Sequence, residues 1–224
     1  MEQKMTTLYF IRHGKTVWND EGRFQGASGD SPLLKESMVQ IELLGQHLAD
    51  LDFDHAFTSP IKRAKTTAEL TIKELKRPPL LTELPGLIEF GMGVWEGMAF
   101  TDVKAEWPAM YDAYRHHPEK FDSSLVQGSE SFAQVEARFV KAVQAVVAEY
   151  GGPDKTLIFF SHGMVLTAGM GALLKIPLTE IRARGGLGNT STSVLTTDDG
   201  ENFAELVRND TSYLGIKADA SNTI

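Results

Sequence analysis

Apolar runs of strand length alternate with stretches of helical periodicity along most of this chain of 224 residues. The runs at 7–11 and 156–160 are almost entirely apolar, which is typical of strands buried on both faces of a sheet. The turn sequence Asp198-Asp199-Gly200 predicts a hairpin between the last two strands. Strands are predicted at 7–11, 54–58, 80–83, 156–160, about 191–197 and 203–208.

Helical patterns fill the intervals between these strands. Apolar residues recur at steps of three and four from Leu34 to Leu51. Ser59-Pro60 predicts a helix that runs to residue 75, with Ser59 as its N-cap and Pro60 in its first position. Ser131 and Gln134 form a capping-box pattern for a helix that ends at 151–153. A further helix is predicted from His162 to about Lys175.

This alternation predicts an α/β fold, a three-layer α/β/α sandwich around a mostly parallel sheet with an antiparallel edge strand. A single domain is expected over residues 1–224, because no repeat or long linker divides the chain. Residues at about 98–130 are predicted to form a lid-like insertion of irregular helix, broken by Pro108 and Pro118. The tail at 217–224 is expected to be loose.

Composition narrows the possible functions. The net charge of -8 argues against nucleic acid and anionic membranes as partners, because both require clustered basic surface. No apolar run approaches the roughly 18 residues that cross a bilayer, and residues 1–7 lack a signal-peptide core, so a cytoplasmic location is expected. The absence of cysteine excludes disulfides and thiolate chemistry. A monomer and a homodimer are both compatible with these features.

One short pattern occurs twice: an apolar strand followed by a histidine and a glycine. His13-Gly14 follows the strand at 7–11, and His162-Gly163 follows the strand at 156–160. Ligands of open α/β sheets bind beyond the carboxyl ends of the strands, where both histidines are expected. A single histidine at such a position is more often structural than functional. The prediction of a functional site therefore depends on the motif occurring twice.

Three charged residues add to this pair. Arg12 adjoins the first histidine, and Arg63 lies near a predicted helix start, where an anion is already favoured. Glu89 lies between apolar neighbours, as a proton donor would. Considered alone, Arg63 would be interpreted as a solvated helix residue, and Glu89 would be interpreted as a surface acid. Together the five residues supply a nucleophile, an acid and three phosphate-binding groups.

The chain resembles the histidine phosphatases, the phosphoglycerate mutase-like superfamily. The resemblance extends over most of the sequence, and the matching blocks occur in the same order. They are Arg12-His13-Gly14-Lys15-Thr16 with Asn19, Gln25-Gly26, Asp30-Ser31-Pro32-Leu33, Ser59-Pro60 with Arg63-Ala64 and Thr67-Ala68-Glu69, Glu89-Phe90-Gly91 with Trp95-Glu96-Gly97, Gly128-Ser129-Glu130-Ser131, and Ser161-His162-Gly163.

The resemblance implies a role for each matching residue. His13 would attack phosphorus and become a phosphohistidine, and Glu89 would protonate the leaving alcohol. The oxygens of the phosphoryl group would be bound by Arg12, Arg63 and His162. Further contacts to phosphate or substrate are expected from Asn19 and, as weaker candidates, from Gln25, Gly26 and Gly163.

Two features of the chain concern substrate choice. Lys15 replaces an acidic or amide residue common in the family, and it either adds positive charge at the pocket rim or is simply solvated. Aromatic residues of the insertion either line a substrate cavity or pack the insertion onto the body, and packing is favoured. These residues are Phe100, Trp107, Tyr111, Tyr114 and Phe121.

No metal or cofactor is expected. The other histidines are scattered, and the glycines at 91–97 miss the dinucleotide-binding spacing. The predicted function is a metal-independent phosphoric monoester hydrolase of histidine acid phosphatase type, acting on a small phosphorylated metabolite. A cofactor-dependent mutase is an alternative, although Ala27 after Gly26 and the 89–97 segment favour the phosphatase branch. A non-catalytic module that binds phosphorylated ligands is the alternative from another class.

Overall fold

The structure is a computed structural model that describes residues 5–215. Its centre is one six-stranded sheet with the strand order β3-β2-β4-β1-β5-β6. The strands are β1 (Thr6–Arg12), β2 (His55–Thr58), β3 (Leu81–Glu83), β4 (Thr156–Ser161), β5 (Thr192–Thr197) and β6 (Phe203–Asp210). The tail at 217–224, for which the sequence predicts a loose conformation, lies outside the described residues.

The sheet has the predicted mixture of strand directions. β3, β2, β4 and β1 are mutually parallel, and the β5–β6 hairpin adds an antiparallel edge next to β1. β1 and β4 are the two central strands, and most of their side chains are buried because helices cover both faces. This burial explains why their sequences are apolar throughout rather than alternating.

Helices form the two outer layers of the sandwich. They are α1 (Val17–Asp20), α2 (Lys35–Leu48), α3 (Lys62–Lys73), α4 (Phe100–Glu106), α5 (Pro108–His116), α6 (Phe132–Tyr150) and α7 (Gly163–Leu173). On one face, α2 and α3 bury Leu44 and Ile72 against Ile158 and Phe160 of β4. On the other face, α6 and α7 share a larger core with Phe10 and Phe159. The three-layer α/β/α prediction is confirmed.

The capping signals had mixed outcomes. Ser131 and Gln134 form the predicted capping box, with Ser131 N donating to Gln134 Oε1 at 2.8 Å. The prediction of Ser59 as an N-cap is wrong, because α3 begins at Lys62 and Ile61 occupies its N-cap position. The Ser59 hydroxyl instead lies 2.8 Å from His162 Nε2, a contact between segments 103 residues apart.

The 98–130 segment packs onto the main core. As predicted, proline breaks its helical structure: α4 ends at Glu106, and α5 begins at Pro108 after Trp107 leaves helical geometry. Tyr114 is buried and makes an edge contact with the Phe90 ring at 5.4 Å between centroids. The other predicted aromatics pack around the same core, which confirms the packing interpretation.

No helix formed by residues 5–215 is both long enough and apolar enough to cross a membrane.

Candidate active site

The two histidines lie side by side because β1 and β4 are adjacent, parallel and in register. Arg12 pairs with Ser161 across the two strands, so the residue after each strand is a histidine. His13 N donates to the Ser161 carbonyl at 3.0 Å, and the two imidazole centroids are 5.1 Å apart. The sheet thus brings together two histidines that are 149 positions apart in the sequence.

Hydrogen bonds define the tautomer of His13. Its Nδ1 lies 2.7 Å from the Gly14 carbonyl, which can only accept, so Nδ1 carries the proton. Its Nε2 accepts a hydrogen bond from Arg63 Nε at 3.2 Å, so Nε2 carries the lone pair. The ring therefore presents an unprotonated Nε2 beside a cationic side chain.

Burial and positive charge keep both imidazoles neutral. Burial lowers the pKa of His13 well below its usual value, and the charges of Arg63 and Arg12 lower it further. The pKa of His162 is lowered by burial first and then by Arg63. A neutral His13 at neutral pH has its Nε2 lone pair available for nucleophilic attack.

Arg63 occupies the second position of α3 and projects into this site. Its guanidinium is buried and is held by backbone carbonyls, with Nη1 donating to Gly29 at 2.8 Å and Nη2 to Gly26 at 3.0 Å. Asp30 adds a longer contact to Nη1 at 3.4 Å. These bonds orient the guanidinium so that Nε faces His13.

Arg12 is the last residue of β1, and its side chain is almost fully buried. Its Nη1 donates to the Leu187 carbonyl of the loop before β5. Burial lowers the pKa of Arg12 to about 10, and the negative charge of Glu89 opposes that shift. Arg12 is still a cation at neutral pH, placed beside Arg63 in a buried site.

Glu89 is fixed at the N-terminus of α7. Its carboxylate accepts backbone N–H groups from Met164 at 3.1 Å, Val165 at 2.8 Å and Phe90 at 2.8 Å. Free N–H groups at a helix N-terminus favour such a negative charge. The structure brings the carboxylate close enough to Arg12 for the two charges to interact.

Arg138 and Glu130 support the segment that carries Glu89, and sequence reasoning gave neither a role in it. Arg138 donates to the carbonyl of Ile88 at 2.7 Å and to that of Glu89 at 3.0 Å. It also forms an ion pair with Glu130, at 2.8 Å from Nε to Oε1, and Glu130 accepts from Gly91 N at 2.8 Å. In sequence, Arg138 is an ordinary charged residue of an amphipathic helix, so no pattern identified it.

Glu96 supports the loop on the other side of the site. Its carboxylate accepts from the backbone N–H groups of Gly26 at 2.9 Å, Ser28 at 3.1 Å and Gly29 at 3.0 Å. Arg63 binds carbonyl groups of the same loop. Glu96 therefore holds the N–H groups of the loop, and Arg63 holds its carbonyl groups. Glu96 belongs to a block of the family resemblance, but sequence analysis gave it no role.

Asn19 and Gln25 lie close to one another and make internal hydrogen bonds. Asn19 Oδ1 accepts from Thr16 N at 3.1 Å as part of a capping box for α1, a short helix that sequence analysis did not predict. With its amide oriented to satisfy its neighbours, Gln25 donates to Thr16 Oγ1 at 2.6 Å and accepts from Ser31 N at 3.0 Å. Both residues shape the loop beside His13.

Of the two glycines predicted as weaker contacts, Gly26 is required by close approach and Gly163 lies in a tight contact. A Cβ at Gly26 would lie 2.4 Å from the Phe90 carbonyl oxygen, so no side chain fits. A Cβ at Gly163 would lie 3.1 Å from Arg12 Nε. Lys15, which the sequence leaves either at the pocket rim or solvated, forms an ion pair with Asp20 at 2.8 Å.

Among residues 5–215, no group of three or more histidine, aspartate or glutamate side chains is arranged to hold a metal ion. The charged groups gathered at the site are instead two buried guanidinium ions and one carboxylate. Such a set can bind the oxygens of a phosphoryl group while a neutral imidazole faces its phosphorus.

The fold and this site define an α/β protein with a histidine–arginine centre for anionic groups at the carboxyl ends of its central strands. The sequence profile of the histidine phosphatase superfamily (branch 1) matches residues 8–210. The chain therefore belongs to that superfamily.

Individual relatives agree with this assignment. Phosphoserine phosphatase 1 of Hydrogenobacter thermophilus is 31% identical over 211 residues, covering 94% of this chain and 95% of the relative. A probable phosphoglycerate mutase, GpmB of Erwinia tasmaniensis, is 31% identical over 180 residues, covering 80% of this chain and 79% of its own. The solved structure of Bacillus stearothermophilus YhfR superposes with a TM-score of 0.85 at 31% identity, covering 93% of this chain and 99% of that one.

Proposed function

We infer that this protein is a metal-independent phosphatase that hydrolyses small phosphate monoesters through a phosphohistidine at His13. The observation that carries this proposal is the fixed tautomer of His13, whose proton is on Nδ1 and whose Nε2 faces Arg63. Membership of the family and the phosphatase name of a relative support hydrolysis as the reaction class.

In the first chemical step, His13 Nε2 attacks phosphorus while the bond from phosphorus to the ester oxygen breaks. Arg63 Nε then donates to a phosphoryl oxygen instead of Nε2, and Arg12 and His162 bind the remaining oxygens. Glu89, which binds a proton when the substrate enters the site, supplies that proton to the departing alkoxide, which leaves as the alcohol.

In the second step, water attacks the phosphorus of phosphohistidine. Glu89, now ionised, accepts a proton from that water, and the bond from His13 Nε2 to phosphorus breaks to release inorganic phosphate. The Nδ1–H bond to the Gly14 carbonyl persists through both steps and keeps the ring oriented. Asn19 and Gln25 contribute by shaping the adjacent loop, Gly26 by leaving room for the Phe90 carbonyl, and Gly163 by leaving room for Arg12.

A panel of phosphate esters tests this function. We expect wild-type protein in excess EDTA to release phosphate from p-nitrophenyl phosphate and from alkyl phosphates, and His13→Ala to release none. His47→Ala, which changes an exposed histidine stacked on Tyr213, is the matched control and should retain activity. Loss of activity in EDTA that added metal restores would refute metal independence.

The role of Glu89 is tested by varying the leaving group. A general acid matters most when the departing alkoxide is strongly basic. Glu89→Gln should therefore lower kcat/KM, which reflects formation of the phosphohistidine, much more for an alkyl phosphate than for p-nitrophenyl phosphate, whose phenolate leaves without help. Equal losses of kcat/KM for both esters would exclude Glu89 as the proton donor of that step.

A cofactor-dependent mutase is the second candidate, and the similarity to a probable phosphoglycerate mutase favours including it. Its signature would be conversion of 3-phosphoglycerate to 2-phosphoglycerate that depends on 2,3-bisphosphoglycerate. Release of inorganic phosphate without isomerisation would exclude it. Binding of phosphate without turnover of any ester would favour the non-catalytic module.

A further inference from the structure

Two more arginines meet near the active site, and the proposed mechanism uses neither. Arg115 comes from α5 of the insertion, and Arg182 from the loop that follows α7. The Arg182 guanidinium lies 5.5 Å from the ring centroid of Tyr114 and donates through Nη2 to the Tyr114 carbonyl. The Arg115 guanidinium lies 5.4 Å from the ring centroid of Phe100. Aromatic side chains thus position both cations.

Neither guanidinium is neutralised by the protein. Within residues 5–215, neither Arg115 nor Arg182 forms an ion pair, and Arg115 Nη1 and Arg182 Nε are buried without a hydrogen-bond partner. Buried charged donors without acceptors destabilise a fold, because their hydration is lost and nothing replaces it. A site that retains two of them is arranged to receive an acceptor from outside the chain.

A neighbouring arginine provides the contrast. Arg184 is only two residues from Arg182, yet its Nη2 lies 2.6 Å from a carboxylate oxygen of Glu205. Arg208 lies within 3.7 Å of the same carboxylate. The loop therefore does contain an arginine that is paired in the ordinary way. The lack of an ion-pair partner for Arg182 among the described residues is specific to its position.

Packing places Arg182 beside the segment that carries Glu89, because its guanidinium lies over the ring of Tyr114, and that ring contacts the ring of Phe90 at 5.4 Å between centroids. The pKa of Arg182 is lowered to about 10, mainly by burial; the charge of Arg115 contributes to this lowering, and the charge of Glu89 opposes it. Arg115 also contributes to the lowered pKa of Arg12. The loop that carries Arg182 reaches the centre directly, because Leu187 accepts from Arg12 Nη1.

Resting on the proposed function, we propose that Arg115 and Arg182 form a subsite for a carboxylate of the same substrate molecule whose phosphate binds at His13. The two unpartnered N–H groups supply one donor from each arginine, and a carboxylate has two oxygens to accept them. The substrates would then be small phosphate monoesters that also carry a carboxylate.

The test compares two esters that differ mainly at this group, 3-phosphoglycerate and glycerol 3-phosphate. For wild-type protein we expect kcat/KM to favour the carboxylate by at least about tenfold, because a site built for a polar group rejects an analogue lacking it. Arg115→Gln and Arg182→Gln should each reduce this ratio about tenfold. Arg184→Gln, which removes a charge from the same loop, should leave the ratio as in wild type.

An alkanediol bisphosphate, measured against the corresponding monophosphate, separates a carboxylate from a second phosphate. If Arg115→Gln reduces the preference for the bisphosphate and not that for the carboxylate, the proposal is overturned. A wild-type ratio near one, or a ratio that neither substitution changes, also overturns it.

Hydrolysis of p-nitrophenyl phosphate keeps the two proposals apart. If wild-type protein hydrolyses this ester but shows no preference for the carboxylate, only the subsite is refuted. If it hydrolyses no ester at all, the phosphatase function itself fails. Because Arg182 also binds the Tyr114 carbonyl, thermal unfolding of each variant is measured alongside, and Arg115→Gln decides the outcome if Arg182→Gln does not fold.

Discussion

The two strand–histidine–glycine motifs occupy equivalent places in the sheet but differ in what surrounds them. His13 has its proton fixed on Nδ1 by the Gly14 carbonyl and its Nε2 facing Arg63. His162 places its Nε2 against the Ser59 hydroxyl at 2.8 Å, and its Nδ1 has no partner among the described residues. The same backbone position therefore presents a lone pair facing an arginine in one motif and an Nδ1 without a partner in the other, and the unequal roles that we propose rest on this difference.

The largest difference between the motifs should appear on removing each ring. His13→Ala removes the imidazole that we propose as the nucleophile, so we expect activity to fall by roughly 10⁴-fold or more. No phosphoenzyme should be trapped when the variant is quenched after mixing with ³²P-labelled substrate. Trapping of an acid-labile phosphohistidine in this variant would assign the nucleophile to another residue.

His162→Ala should slow the reaction without changing its course. Loss of one group that stabilises the transferring phosphoryl oxygens costs about 10²-fold in kcat. The same quench experiment should still trap a phosphoenzyme, now at a lower rate of formation. Failure to trap any phosphoenzyme, in a protein that folds normally, would contradict the unequal roles of the two histidines.

The sequence predicted the pair of histidines because that prediction required only local patterns and one rule of sheet geometry. Apolar runs identified two buried strands, and parallel strands end at the same edge. The three-layer arrangement and the hairpin edge followed from the alternation of strands and helices. These features depend on which segments are buried, and the spacing of apolar residues along the sequence indicates this directly.

The supporting contacts were not predictable in the same way. Ser59 has the sequence context of an N-cap, but its hydroxyl contacts His162, and only the folded sheet brings the two together. Arg138 has no distinguishing pattern in the sequence, and the block that contains Glu96 does not show what its side chain binds, yet the partners of both are backbone groups of distant loops. Long-range pairing of side chains with backbone leaves no periodic signal in a sequence.

The glycines of the two motifs provide a finer comparison. A Cβ at Gly163 would press against Arg12 at 3.1 Å, so Gly163→Ala should displace a phosphate-binding group and lower kcat/KM about tenfold. A Cβ at Gly14 would meet apolar carbons of Ile41 and Leu33 at 3.1 Å and 3.2 Å. Gly14→Ala should therefore act mainly on stability, by about 1–3 kcal/mol of overpacking.

Steady-state kinetics and thermal unfolding of the two glycine variants separate these effects. The expected pattern is a larger loss of kcat/KM for Gly163→Ala and a larger loss of Tm for Gly14→Ala. The reverse pattern would show that Arg12 adjusts freely and that its contact with Gly163 has little influence on catalysis.

The two histidines should make similar contributions to the pH dependence of the free energy of unfolding. This contribution is the smallest of the predicted effects. Burial holds the pKa of each imidazole below its usual value in the folded protein, whereas both titrate near about 6.5 in the unfolded chain. Below that pH the unfolded chain binds more protons than the folded protein, so the free energy of unfolding decreases as pH falls. Each histidine contributes about 1 kcal/mol of this decrease per pH unit.

Measurements of Tm between pH 7.5 and pH 5.5 test whether the two histidines contribute equally to the pH dependence of stability. His13→Gln and His162→Gln should each weaken the dependence of Tm on pH by a similar amount, since each removes one group that the unfolded chain would protonate. His47→Gln, which changes an exposed histidine, is the control and should keep the wild-type dependence. If only one of the two buried substitutions flattens the curve, the two imidazoles differ in protonation as well as in chemistry, and the electrostatic field of the arginines acts on one motif more than on the other.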